Sequence, residues 1–141
     1  MRRLTVVFSA GFLGGSELFN LEFLRRAREL GVQIDAIVPS EGTVAEALRA
    51  IVPSIQVVEP PASLGSVSRF DRRIPLTTLP PRVLGLAGYA ARLRLALHRT
   101  TGPICSFGFR SQLACAVAQQ GLGRPTCWVV HEVVPDGPFA R

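Results

Sequence analysis

Short apolar runs alternate with amphipathic stretches along almost the whole chain, and this alternation restricts the possible folds. Strands joined by helices imply right-handed crossovers and a parallel sheet covered by helices on both faces. The sequence therefore predicts a doubly wound, Rossmann-like α/β fold, with a parallel sheet of five or more strands in the order 3-2-1-4-5. The predicted strands cover 4–9, 32–38, 54–58, 103–107 and 125–130, and the predicted helices cover 18–30, 43–52, a stretch from about 82, and 111–120.

The length and composition indicate one globular domain. The 141 residues are enough for a core of their own, and 48% hydrophobic with 18% charged residues exclude a disordered chain. No apolar run reaches the roughly 18 residues of a membrane span, and the first run is too short for a signal peptide. We expect a single domain over 1–141, with a functional or mobile loop at 59–81, where five prolines interrupt the pattern.

A glycine turn between the first strand and the first helix is the first candidate site. Gly14 and Gly15 leave room for a ligand close to the backbone, either a phosphate or a substrate hydroxyl. We expect Ser16 to cap the helix and Glu17 to lie in its first turn. The alternative is a tight turn without a ligand.

Known nucleotide-binding motifs fit this turn poorly. It lacks the Gly-Lys-Ser/Thr of a Walker loop and is not a clean Gly-x-Gly-x-x-Gly. Asp35 lies about twenty residues on, where a ribose-binding acid is found in dinucleotide-binding folds. However, the apolar run continues beyond Asp35, which places it before the end of its strand. Thr43 and Glu46 are predicted to form a capping box at the second helix.

Two further candidates follow the fourth and fifth strands. His131 could donate a hydrogen bond or act as a base, and Glu132 could orient it or bind a sugar hydroxyl. Arg110 could clamp an acidic or phosphorylated group. The alternatives are a structural histidine, a solvated carboxylate and an exposed arginine. Because carboxyl ends of parallel strands share one edge, all these residues are predicted to border one crevice.

The basic residues are all arginines, with a net charge of +6, and they concentrate in one third of the chain. Such a patch favours phosphate, nucleic acid or an anionic membrane, and the alternative is a solvated helix face. The residues concerned are Arg69, Arg72, Arg73, Arg82, Arg92, Arg94 and Arg99.

The three cysteines match no zinc or redox spacing. Cys105, Cys115 and Cys127 all lie in apolar runs. We therefore expect buried, reduced thiols and a cytoplasmic chain.

The quoted segments also resemble a known family. Residues 14–18, Gly-Gly-Ser-Glu-Leu, and 21–32, Leu-Glu-Phe-Leu-Arg-Arg-Ala-Arg-Glu-Leu-Gly-Val, resemble the start of the family 4 (group 1) retaining glycosyltransferases. Residues 123–132, Gly-Arg-Pro-Thr-Cys-Trp-Val-Val-His-Glu, are similar to the family's Gly-x-Pro, apolar strand, His-Glu segment, and 106–120 are similar to the helix before it.

The resemblance implies the N-terminal, acceptor-binding half of a GT-B enzyme, which transfers a sugar from a nucleotide-sugar to a glycan, lipid-linked or small-molecule acceptor. It implies that Gly14, Gly15, Ser16, Glu17, Arg110 and Glu132 bind substrate and that His131 is catalytic. No metal or cofactor is implied. Because related transferases often act on lipid-linked acceptors, the resemblance also suggests that Arg69, Arg72, Arg73 and Arg82 contact a phosphate or the inner membrane face, with no nucleic-acid partner.

The donor domain of the family, with its paired-glutamate motif, is absent from this sequence. We therefore expect the chain to be inactive alone and to need a second, donor-domain chain or to self-associate, as a fragment, a split enzyme or a remnant. Two other functions remain open, a non-catalytic glycan- or nucleotide-binding module and a small NAD-type dinucleotide-binding domain.

Overall fold

The structure is a computed structural model, and it describes residues 2–64 and 79–130. Its centre is one sheet of five parallel strands in the order β3-β2-β1-β4-β5. The doubly wound fold and the strand order predicted from the sequence are confirmed. The strands are β1 (Arg3–Phe8), β2 (Gln33–Val38), β3 (Ser54–Val57), β4 (Ile104–Phe107) and β5 (Thr126–Val129).

Among the described residues, four helices connect the strands, namely α1 (Gly15–Glu29), α2 (Thr43–Arg49), α3 (Leu79–His98) and α4 (Phe109–Ala118). Three of them, α1, α3 and α4, begin earlier than predicted. The prolines Pro80 and Pro81 fall in the first turn of α3, where the missing N–H groups have no intrahelical partner to lose. α4 begins at Phe109, two residues before the predicted start, with Gly108 as its N-cap. A 3₁₀ turn at Ala62–Leu64 follows β3.

The core forms one layer on each side of the sheet, because side chains alternate along a strand. On one side, Val6, Phe8 and Phe107 pack under α1 and α2. On the other side, Val7 and Ile104 pack under α3 and α4. The predicted stripe of α3 is confirmed, since three of its members are buried and the fourth is half-buried: Ala90, Leu93, Leu97 and Leu86.

The predicted buried face of α1 is only partly correct. Leu21 and Leu24 are buried, and Asn20 joins them in the core. Phe19 and Phe23, by contrast, are 62% and 45% exposed. The two phenylalanines are four residues apart, so they lie together on a flank of the helix next to the arc that contacts the sheet. Leu18 and Leu30, also assigned to the buried face, are exposed as well.

Helix coverage in the described part of the chain stops short of β5. Cys127 points to the side of the sheet that carries α1 and α2, and Trp128 points to the opposite side, yet both are exposed. The predicted coverage of both faces therefore holds for the central strands and not for this outer strand. Among residues 2–64 and 79–130, no helix combines the length and apolarity needed to cross a membrane.

Candidate functional site at the carboxyl edge of the sheet

The loops that follow the strands meet in a small crevice at the carboxyl edge. Ser9 follows β1, Pro39 follows β2, and Arg110 lies just after β4. The crevice encloses about 20 Å³, which is room for about one water molecule. Its other walls are mostly apolar and include Pro60, Leu64, Leu86, Tyr89, Ser111 and Leu113. Such a crevice beside β1 and β4 is the position at which open α/β sheets bind ligands.

The turn before α1 brings a carboxylate to the start of the helix. Gly14 is the N-cap, and its amide donates to Glu17 Oε2 over 3.2 Å. The Ser16 hydroxyl donates to the same oxygen over 2.9 Å. Ser16 is therefore not the cap that was predicted, because the helix begins one residue before it. Glu17 lies in the first turn, as predicted, and partly compensates the positive end of the helix dipole.

Gly15 opens this turn to the surroundings. Apart from its two chain neighbours and the adjacent backbone of α1, no described residue has an atom within 4 Å of the position that a Cβ on Gly15 would occupy. A Cβ on Gly14, in contrast, would lie 2.8 Å from Glu17 Oε2. The open space over Gly15 and the occupied space over Gly14 leave the helix start accessible from one direction.

The turn is fixed by the neighbouring loop after β2. The Leu13 amide donates to Thr43 Oγ1 over 3.0 Å, and the Val44 amide donates to the Gly11 carbonyl over 3.3 Å. Gly42, rather than Thr43, is the N-cap of α2, and it makes no side-chain cap bond. The predicted Thr43–Glu46 capping box is therefore wrong, because the Thr43 hydroxyl binds the adjacent loop instead.

The turn between β4 and α4 depends on Gly108. Its φ of +87° lies in the left-handed region, and a Cβ there would collide with the Ser9 hydroxyl. The buried Ser111 hydroxyl lies 2.8 Å from the Phe107 carbonyl and 2.9 Å from that of Gly108. This compact turn places Arg110 on the crevice rim, exposed, in the first turn of α4.

Tyr89 is a crevice residue that the sequence reasoning missed. It is 4% exposed, and burial raises the pKa of its phenol to about 12, with a further rise from nearby Cys115. The phenol is therefore a neutral hydroxyl at physiological pH. A signal was present in the sequence, since Tyr89 lies three residues after Leu86 and four before Leu93, within the α3 stripe.

Asp35 does not belong to this edge. It is the third residue of β2 and pairs in register with Thr5 and Ser54, so three strand residues separate it from the crevice. The expectation that Asp35 precedes the end of its strand is confirmed. A ribose-binding role for this carboxylate finds no support in its position.

Asp35 faces an arginine at the amino edge. The Arg124 guanidinium donates to the Leu97 carbonyl over 2.8 Å, the Gly102 carbonyl over 2.6 Å and Thr5 Oγ1 over 2.7 Å. Burial lowers the pKa of Arg124, and nearby Asp35 partly offsets that effect. Arg124 therefore holds the end of α3 and β1 together at the edge opposite the crevice.

The seven arginines predicted to form a basic patch, between residues 69 and 99, differ in their environments. Arg94 donates to the carbonyls of Ala118, over 3.0 Å, and Gln120, so it caps the end of α4. Arg92 is exposed on α3, Arg99 is exposed in the turn directly after α3, and Arg82 is half-buried in the first turn of α3. Arg69, Arg72 and Arg73 lie outside the described residues.

The predicted site residues are thus only partly described. Gly14, Gly15, Ser16, Glu17 and Arg110 all lie at the carboxyl edge, after the adjacent strands β1 and β4. His131 and Glu132 lie outside the described residues. The expectation of three buried thiols is wrong for one of them, because Cys127 is exposed on β5, whereas Cys105 and Cys115 are buried. Among the described residues, no group of three or more His, Cys, Asp or Glu side chains could hold a metal ion.

Solved structures share this fold at low sequence identity. MurG from Acinetobacter baumannii is 16% identical with a TM-score of 0.57, and the match covers 91% of this chain and 34% of MurG. The C-terminal domain of the PF1911 hydrogenase from Pyrococcus furiosus is 13% identical with a TM-score of 0.56, and the match covers 92% of each chain. TcCGT1 in complex with UDP is 16% identical with a TM-score of 0.48, over 92% of this chain and 28% of TcCGT1.

Neither the protein-family models nor the curated protein sequences give a match. The chain spans about a third of the length of MurG. The likeness to MurG and to the hydrogenase domain shows a Rossmann-like α/β fold, and it is the fold of GT-B glycosyltransferase domains as well as of a hydrogenase domain.

Proposed function

We propose that this chain is the acceptor-binding half of a retaining, family 4 GT-B glycosyltransferase and that it transfers sugar only together with a donor-binding domain. The observation that carries the proposal is the Glu17 carboxylate at the start of α1. A carboxylate in that place repels a diphosphate and accepts hydrogen bonds from hydroxyl groups. An acceptor rich in hydroxyls suits the turn better than a dinucleotide does.

The crevice at the same edge of the sheet is compatible with this substrate class. Its walls are largely apolar and the Tyr89 phenol is neutral, so the crevice mouth suits contact with the non-polar face of a sugar, although the crevice itself has room for only about one water molecule. Arg110 on the rim can pair with a phosphate that links such a chain to its sugar. The position of Asp35 inside β2 counts against an NAD-type domain.

His131 and Glu132 take their proposed roles from the sequence. They follow Val130 directly, and β5 ends at Val129 on the same carboxyl edge. We assign His131 to the reacting centre and Glu132 to acceptor hydroxyls. The nucleotide-sugar would be held mainly by the partner domain.

The direct test is a titration of the 141-residue protein followed by backbone amide NMR. The probes are a short-chain polyprenyl monophosphate sugar, the corresponding free sugar, a UDP-sugar and NAD. We expect the sugar-bearing acceptors to shift the amides of Gly15 and Glu17. Gly15→Val should weaken that binding about tenfold or more, because its side chain fills the open space over the turn.

Gly88→Ala is the matched control, since Gly88 is exposed on α3 and a Cβ there has open space among the described residues. It should leave the affinity unchanged. Binding of NAD at Gly15 with no response to acceptors would contradict the proposal and support the dinucleotide alternative. If the chain binds acceptor but no transfer occurs when a donor domain of this family is added, the result would contradict the proposal and support a non-catalytic glycan-binding module.

A further inference from the structure

Two thiols face each other on neighbouring strands. Cys105 of β4 and Cys127 of β5 are direct register partners, and both point to the side of the sheet that carries α1 and α2. Cys127 is close enough to Cys105 to contribute to the raised pKa of the Cys105 thiol. Adjacent strands lie about 4.8 Å apart, which is within the Cα separation of about 4.4–6.8 Å that a disulfide spans.

The two thiols differ in access. Cys105 is 5% exposed, whereas Cys127 is exposed on the outer strand of the described sheet. A reagent from solution can therefore reach Cys127 and not Cys105. The third cysteine, Cys115, is fully buried on the opposite side of the sheet, among the residues under α3 and α4.

We propose that Cys105 and Cys127 form a two-thiol site that reacts with a low-molecular-weight disulfide and closes a disulfide between β4 and β5. In the first step, the Cys127 thiolate attacks one sulfur of the reagent, forms a mixed disulfide and expels one small thiolate. In the second step, the Cys105 thiolate attacks Cys127 Sγ and expels the second small thiolate. The protein loses two electrons and two protons, and the reagent becomes two thiols.

The order of the steps follows from burial. Burial raises the pKa of Cys105 to about 12, and the neighbouring Cys127 raises it further, so Cys105 is a poor first nucleophile. Once Cys127 is in a mixed disulfide, its sulfur is already on the register partner of Cys105. The second step then depends on proximity within the sheet rather than on access.

The bond would fasten the outer strand to the centre of the sheet. Closing it joins residues 22 positions apart and encloses α4 in the loop. β5 leads directly to His131 and Glu132, so oxidation would restrict the strand that carries the proposed catalytic segment. The proposed thiol site is based on the register pairing of Cys105 with Cys127 and does not depend on the proposed function.

The test uses the folded 141-residue protein with oxidised glutathione as the probe, followed by intact mass and by mapping of disulfide-linked peptides. Trypsin does not cut before Pro125, which leaves Cys115 and Cys127 on one peptide, so the mapping is done on Cys115→Ala. We expect a mass lower by two hydrogens, one link between Cys105 and Cys127, and reversal by a reducing thiol.

Single variants separate the two steps. Cys105→Ala should stop at a stable glutathione adduct on Cys127, and Cys127→Ser should react at least about tenfold more slowly than wild type. Three observations would each overturn the proposal. They are a lasting glutathione adduct on wild-type Cys127 without closure, a loss of closure in Cys115→Ala, and a Cys127→Ser protein that reacts as fast as wild type.

Discussion

At the scale of single residues, Gly108 is a position where the backbone disfavours any side chain. Its φ of +87° and the contact with Ser9 both exclude a side chain. We expect Gly108→Ala to lower the free energy of unfolding by about 2–3 kcal/mol, from left-handed strain together with displacement of the β1 loop. Urea denaturation measures the change. Gly88→Ala is the control and should raise stability by about 0.5–1 kcal/mol, because Gly88 is exposed in a helix. Equal effects at both glycines would contradict the prediction.

Tyr89 predicts a loss of stability in alkali. Burial raises the pKa of its phenol from 10.0 to about 12, so the folded protein holds the proton over a range where the unfolded chain releases it. The resulting stabilisation is present in full below pH 10 and is lost as the pH rises through about 12. The chain contains one tyrosine, so the ultraviolet absorbance of the phenolate reports Tyr89 alone.

The same titration has a clear control. In Tyr89→Phe the phenolate signal disappears and stability falls less steeply between pH 10 and 12. Some slope remains, because burial also raises the pKa of Cys105 and of Cys115 to about 12. A tyrosine that titrates near pH 10 in the folded protein would show that the crevice admits water to the phenol.

At the scale of elements, Arg124 links the end of α3 to β1. Its guanidinium donates to two carbonyls and to the Thr5 hydroxyl. We expect Arg124→Ala to lower stability by about 2–4 kcal/mol, because those acceptors lose a charged partner in a partly buried setting. Arg124→Lys should retain only part of the stability that Arg124→Ala loses, since an ammonium group lacks the planar arrangement of donors of a guanidinium. The exposed Arg92 provides the control, and Arg92→Ala should change stability by less than about 0.5 kcal/mol.

The exposed arginines at the end of α3 test the predicted membrane contact. Arg94 is engaged with carbonyls at the end of α4, whereas Arg92 on α3 and Arg99 directly after it are exposed. We expect the protein to sediment with anionic vesicles at low salt, and the double variant Arg92→Ala, Arg99→Ala to bind about thirtyfold less, since each arginine contributes about 1 kcal/mol. Salt should weaken the binding. Equal recovery with neutral vesicles would exclude a membrane role for this helix.

The elements also show how far the sequence can be interpreted. Buried parallel strands have continuous apolar runs, so their existence and order were predictable. Helix starts were not, because Gly42 and Gly108 act as N-caps without the side-chain oxygens that mark a cap in sequence. The exposure of Phe23 and Cys127 depends on what packs beside α1 and β5, and periodicity within one segment does not report that.

For the candidate site, the sequence predicted which residues lie at the carboxyl edge but not the contacts that they make. The glycine turn, Glu17 and Arg110 were located at the correct edge because they follow strand ends. The bond from Gly14 to Glu17 was not predicted, since the helix start was placed after it. Tyr89 reaches the crevice from the middle of α3, and only the packing of α3 across the sheet brings it there.

At the scale of the whole molecule, the two ends of the sheet have different properties. The amino edge is held by Arg124, and the carboxyl edge combines the open turn at Gly15 with the crevice. A ligand that binds only the folded state at this edge should raise the free energy of unfolding by about 2.7 kcal/mol at a hundredfold excess over its Kd. Thermal unfolding with the sugar-bearing acceptor measures this gain. Gly15→Val should melt near the wild-type temperature without acceptor and show little gain with it.

The exposed outer strand also gives the molecule an optical probe of its own. Trp128 is the single tryptophan of the sequence, and it is 53% exposed on β5. Its fluorescence should therefore resemble that of a hydrated indole and be accessible to acrylamide quenching. A partner domain or a second copy that covers β5 would shift the emission to the blue and reduce the quenching, whereas a small ligand over the Gly15 turn would change neither. Assembly and ligand binding can thus be followed separately, in one cuvette and without a label.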